Sequence, residues 1–162
     1  MNIDINELYK MLNWRSRFGD QLQGIKLAKN IDDLSLLILP DANGESKSVW
    51  ENCARALYEL SDERLENYLP SLLEWIRDLN WPGALIILDR LKIFSGEKLK
   101  KPVVDRYIYA DSLNNEEGLI ILDFLSELLD NVELKSILPR YITERLQNHY
   151  ENWGFWYDEE KQ

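Results

Sequence analysis

Residues 72–91 read LLEWIRDLNWPGALIILDRL, an apolar stretch interrupted by Asp78-Leu-Asn-Trp-Pro-Gly83. The apolar positions before the interruption, Leu69, Leu72, Leu73, Ile76 and Leu79, recur at helical spacing, and so do Ala84, Leu85, Ile87, Leu88 and Leu91 after it. Two helices joined by a tight corner is therefore the expectation. The first is read to end near Leu79, because a residue preceding proline is pushed towards extended angles. Pro82 is placed at the first position of the second helix, where its missing N–H costs nothing. Asp78 and Asn80 are read as caps for that helix. Gly83 and Ala84 are small enough for close approach. Ile86 and Ile93 add apolar surface on the remaining sides, so the second helix is expected to be sandwiched between neighbours.

Working outward, helical spacing dominates and strand alternation is nearly absent. Asp4 is placed to cap a short helix carrying Ile5, Leu8, Met11 and Leu12. A second helix is predicted over 16–29 with Phe18, Leu22, Ile25, Leu27 and Ala28 inward, weakened by Gly19 and Gly24. Asn30 is read as an N-cap, with Asp32 and Asp33 in the first turn of a helix through Leu34–Leu39 that Pro40 stops. Residues 40–46 (PDANGES) form the clearest loop. Ser48 and Glu51 have capping-box spacing before Val49, Trp50, Cys53, Ala54 and Leu57. Ser61 caps the next start, and Pro70 sits early in the helix that leads to the corner. Beyond Ser95-Gly96, Pro102 is read to open a helix, Asn114 or Asn115 to cap another, and Pro139 to open the last, with Gly154 closing it. About seven to nine short helices with brief links predict one all-α domain over 1–162, a HEAT-like α-α superhelix of stacked antiparallel helical hairpins.

The run Tyr68-Leu-Pro-Ser-Leu-Leu-Glu-Trp-Ile-Arg-Asp-Leu-Asn-Trp-Pro-Gly-Ala84 resembles a bacterial family of unknown function whose hallmark is Leu-Leu-Glu-Trp-Leu-Gln-Asp…Asn-Trp-Pro. Leu27-Ala-Lys-Asn-Ile-Asp-Asp-Leu-Ser-Leu36 and Val49-Trp-Glu-Asn-Cys-Ala54 are similar to it as well. The resemblance covers about residues 48–95. After Asp111 the chain lacks a Trp-Lys-Tyr-Trp-like feature that many members carry. The resemblance implies a HEAT-like helical fold. Similar small acidic helical proteins are often encoded beside bacterial toxins, so it also implies an immunity role.

The 162 residues carry 19 bases and 29 acids, a net charge of −10. Residues 111–162 hold 12 acids against 4 bases, so −8 of the −10 lies in that third. This sign argues against nucleic acid and against anionic membranes. It allows a basic protein partner, and it also solvates the surface. No apolar run approaches the roughly 20 residues that span a bilayer. The first ten residues have no basic and apolar leader pattern. Together with a lone cysteine, Cys53, these features predict a cytoplasmic protein.

Raw material for catalysis is thin. His149 is the only histidine, and it is read as a half-buried helix residue near Tyr150 and Trp153. One His and one Cys make a zinc site a poor expectation. The carboxylate pairs Asp62–Glu63 and Glu116–Glu117 fall in first turns of predicted helices, where the exposed amides explain them. Asp32–Asp33 and Asp158–Glu160 have no catalytic partner in the pattern. No cofactor or metal is expected. Trp75 and Trp81 are read as packing at the corner. Trp153, Phe155, Trp156 and Tyr157, four aromatics in five residues, either close the last helix or form a binding anchor with an acidic rim.

The expected function is therefore non-enzymatic protein binding: an immunity protein that neutralises a basic bacterial toxin. The candidate surface is Glu116, Glu117, Asp123 and Glu127 with the tail aromatics Trp153, Phe155, Trp156 and Tyr157. A scaffold or adaptor using the basic stretch Lys98, Lys100 and Lys101 is the alternative, followed by an enzyme with an unrecognised site.

Overall fold

The computed structural model describes residues 2–42, 44 and 46–149, with only the backbone of Ser46. Among the described residues the regular structure is helical, with no strand. The chain divides into two compact units, residues 1–90 and 91–162.

In the first unit, α1 (Ile5–Leu12) starts at Asp4, whose carboxylate accepts from Asn6 N at 2.9 Å. Its Leu8 and Leu12 are wholly buried. It packs against α2 (Phe18–Ala28), and both touch α3 (Ser46–Tyr58). Gly24 is what lets α1 and α2 meet: a Cβ there would stand 2.9 Å from the Met11 Cβ. The inward side of α2 is thus its small side, Gly24 and Ala28, and the expected inward residues Phe18 and Leu22 face solvent instead. The predicted Leu34–Leu39 helix is only a 3₁₀ turn, Leu34–Leu37. Asp33, not Asn30, caps it, extended Ile38 ends it, and Leu39 follows at φ +46°.

Polar side chains of α3 and α4 (Asp62–Leu65) close the ends of the first two helices. Buried Asn52 donates to Leu12 O at 2.8 Å and to Gln21 Oε1 at 2.9 Å. Arg64 donates to the carbonyls of Lys29 and Ile31. These carbonyls have no intrahelical donor, so the contacts answer a need that every helix end has.

α5 (Leu69–Trp75) and α6 (Ala84–Lys92) flank the corner. α5 stops about a turn before the expected Leu79. Successive tight turns follow, with Arg77 N bonded to Glu74 O, Trp81 N to Asp78 O and Ala84 N to Trp81 O. Pro82 does not open α6; Gly83 O accepts the first helical bond, from Ile87 N. Asp78 caps the turn itself through Asn80 N at 2.8 Å. Gly83 adopts φ +82°, and a Cβ on it would meet Ala54 Cβ at 2.7 Å, Trp50 O at 2.9 Å and Trp75 at 3.0 Å. Its N–H donates to Glu51 Oε2 at 2.9 Å. The Ser48–Glu51 spacing is therefore not a capping box: α3 already begins at Ser46, Glu51 reaches the corner, and Ser48 Oγ accepts from Asn13 Nδ2.

Three tryptophans close over this corner. Trp50 meets Trp75 edge-on at 6.2 Å and Trp81 at 5.7 Å. Trp50 Nε1 donates to Pro40 O and Trp75 Nε1 to Pro82 O. Each buried indole thus has its polar atom paired, as buried tryptophan requires. In α6, Ala84, Ile87, Leu88 and Leu91 are buried, but Leu85 is exposed, so the helix is not covered on every side. Its one buried charge, Arg90, donates to Leu60 O at 2.8 Å and to Asp62 at 2.6 Å.

In the second unit, α7 (Gly96–Leu113) touches α8 (Glu116–Ser126) and α9 (Val132–Ile137), and α10 (Arg140–Gln147) touches α8. Ser95 caps α7, so Pro102 lies inside that helix and does not open it. Gly96 packs against the backbone of Glu133 and Leu134 with no room for a Cβ. Buried Asn131 ties three segments together: Nδ2 donates to Leu91 O and Phe94 O, and Oδ1 accepts from Leu134 N at 3.0 Å.

Two outcomes follow. Gly83→Ala combines a left-handed backbone with a clash and is expected to cost about 2–4 kcal/mol; Glu51→Ala is expected to cost about 1–3 kcal/mol by leaving Gly83 N–H without its acceptor. Urea unfolding monitored by tryptophan fluorescence measures both, and wild-type midpoints would show that the corner holds without these contacts. Secondly, complete burial pushes the Cys53 thiol well above its ordinary value of 9.0, and burial raises Tyr9 as well. The unfolded thiol ionises first, so this contribution is whole below pH 9 and shrinks as pH climbs past it. Unfolding midpoints should hold level to about pH 9 and then fall, and thiol reagents should label Cys53 only on unfolding.

Candidate partner-binding site

The α7–α8 hairpin is built by three local choices. Asn114 takes a left-handed conformation, φ +45°, which asparagine tolerates better than most residues. Asn115 caps α8 by accepting from Gly118 N at 3.1 Å. Gly118 lies so close to α7 that a Cβ would sit 2.5 Å from Ala110 O. These contacts bring Asp111, at the end of α7, near Glu116 and Glu117, at the start of α8. All three carboxylates are exposed. Among the described residues neither Asp111 nor Glu116 has a basic partner. Exposed Ile108, Tyr109 and Ile120 accompany them. Beneath, Tyr107 is buried and meets Tyr141 edge-on at 6.1 Å. Burial raises the Tyr107 hydroxyl, Asp111 and Tyr141 add to this, and Arg145 opposes it.

Three of the four acids expected at the surface share a helix face, and Glu117, one residue on from Glu116, lies to its side. Glu116, Ile120, Asp123 and Glu127 fall at i, i+4, i+7 and i+11, which is one stripe along α8 and into the 3₁₀ turn Glu127–Asp130. Their surroundings differ. Glu116 and Glu117 are exposed, in the first turn of α8. His149 Nε2 lies 2.8 Å from Asp123 Oδ1, and the other ring nitrogen lies 2.8 Å from Leu146 O. Both neighbours are acceptors, so a single ring proton serves only one of the two contacts. His149 is 1% exposed, not half-buried as expected, and its described partners are on α8 and α10. Glu127 is half-buried and lines a shallow cleft of about 200 Å³ with Ser126, Leu129, Asp130 and His149. Trp153, Phe155, Trp156 and Tyr157 lie outside the described residues, as does the Gly154 cap.

Sequence reasoning missed the Asp123–His149 contact because 26 residues separate the pair and no motif marks it. The alternative basic surface is partly engaged: Lys101 pairs with Asp105 at 2.7 Å. Among the described residues no three His, Cys, Asp or Glu side chains form a metal-binding group, and no helix is long and apolar enough to cross a membrane.

Breaking the buried contact should be costly where removing exposed charge is not. His149→Phe and Asp123→Ala are each expected to destabilise by about 1–3 kcal/mol, and Glu116→Gln with Glu117→Gln to stay within about 0.5 kcal/mol of wild type. Chemical denaturation of the three variants checks the contrast; equal effects would remove the distinction between the engaged and the exposed acids.

No curated protein and no solved structure matches the chain. One family does match, over residues 49–137, from Trp50 and Glu51 through the corner, the α7–α8 hairpin and α9. Since that span is more than half of the sequence, the chain belongs to the family described as a domain of unknown function, DUF5071.

Proposed function

We propose that the protein is a non-enzymatic binding protein, an immunity protein of the bacterial cytoplasm that neutralises a basic toxin through the acidic α8 face. The reading includes HEAT-like stacking of helical hairpins within each unit. The observation that carries it is the stripe Glu116–Ile120–Asp123–Glu127, joined at the hairpin tip by Asp111 and Glu117. Carboxylates around exposed Ile108, Tyr109 and Ile120 give an apolar centre with a charged rim, the usual anatomy of a binding patch. Negative charge there attracts a basic partner before contact and stands in for phosphate in a cationic active site. Asp123, held by His149, is an engaged member of the face; Glu116 and Glu117 are exposed at its start.

Reversing the two exposed first-turn acids, Glu116→Lys with Glu117→Lys, leaves the His149 contact intact. The expected result is a drop of about 10–100-fold in the association rate with a toxin that the protein neutralises, sought first as the product of the neighbouring gene, with unchanged helicity by circular dichroism. Wild-type binding should weaken as salt rises. Capture insensitive to both charge reversal and salt would overturn the reading, as would co-expression that leaves the toxin fully active.

A further inference from the structure

We infer that this chain self-associates head to tail, with the outer face of α2 in one copy seated on the α7–α8 hairpin of a second copy. Phe18 is 75% exposed and Leu22 52% exposed. They lie one turn apart on the same side of α2, with Lys26 a turn further on. Arg15 and Arg17 stand exposed immediately before the helix, beside half-exposed Trp14. None of Arg15, Arg17 and Lys26 forms an ion pair among the described residues. Large apolar side chains face outward because Gly24 and Ala28 occupy the inward side against α1. Their exposure is thus fixed by the packing of α1 and α2, and folding of this unit does not use them.

The face asks for a partner with an apolar centre and an acidic rim. The α7–α8 hairpin offers residues of that chemistry: exposed Ile108 one turn before Asp111 on α7, with Tyr109 beside it in sequence, and exposed Ile120 one turn after Glu116 on α8. The two faces differ, so the contact is heterologous, and each copy keeps one face open for a further copy. A lipid surface fits less well. Anionic headgroups would match the three cations but repel a chain of net charge −10. The hairpin is the same surface that the proposed function uses, so self-association would compete with toxin capture. It requires no toxin, however, and its test stands whether or not that reading survives.

Sedimentation velocity of the full chain from about 1 μM to about 1 mM tests it, since a small charged interface gives weak affinity. At low salt the mean mass should rise above the monomer value with concentration, and salt at about 0.5 M should suppress the rise. Phe18→Ser with Leu22→Ser should lower the association constant at least about tenfold without changing the circular dichroism. A variant carrying R15E, R17E and K26E should remain monomeric, and so should one carrying D111K and E116K. Mixed in equal amounts, these two should associate again, because each then offers the charge that the other needs. Mass at the monomer value throughout, association that survives the charge reversals, or binding to phosphatidylserine vesicles without any self-association would overturn the proposal.

Discussion

The grip of α3 on the corner at residues 78–83 is the constraint on which the first unit depends. Glu51 holds the Gly83 N–H, Trp50 spreads over Trp75 and Trp81, and Ala54 meets the space where a Gly83 side chain would be. A reversal this tight leaves amides and carbonyls without helical partners. In a buried place each unpaired group would cost on the order of 1–3 kcal/mol. Glu51 of α3 supplies the partner for the Gly83 N–H and the Trp75 indole N–H the partner for Pro82 O, so the turn forms where water cannot serve it. The direction of α6, and with it the burial of Ala84, Ile87 and Leu88, follows from that corner.

The second unit solves a similar problem with different residues. Asn131 serves two carbonyls and one amide at once, joining the end of α6 and the link after it to the start of α9. Asp123 and His149 join α8 to the end of α10. Both contacts sit on or beside elements that also present charge to solvent. α8 therefore has two roles divided by face: Ile121, Leu122, Phe124 and Leu125 are buried, while Glu116 and Ile120 look outward. Within the acidic stripe only the middle member, Asp123, is tied down, while Glu116 stays exposed.

Much of the architecture was legible in the pattern. Asp4, Ser61 and Asn115 cap the helices their positions announce, because a cap is a contact within three residues and is written locally. The errors fall where a distant segment overrides a local preference. Phe18 and Leu22 have the spacing of an inward face, yet α1 accepts only the glycine and alanine side of α2. Glu51 has the spacing of a capping box, yet Gly83, 32 residues away, takes its carboxylate. Pro102 has the look of a helix start, yet Ser95 begins the helix earlier and the proline is carried inside it. In the candidate site, Glu116 and Glu117 were legible as exposed first-turn acids. The engagement of Asp123 by His149 was not.

What the sequence alone determined is the helical class, the corner between two apolar runs, most helix starts and the concentration of negative charge in the last third. These depend on periodicity, on proline and glycine stereochemistry and on counting, all of which act over a few residues or over none. What only the tertiary structure decided is which side of each helix turns inward, which polar atom closes each corner and which acids remain exposed. Those choices depend on how closely two backbones approach and on where unpaired amides and carbonyls come to lie. Neither is defined until the distant segments have met.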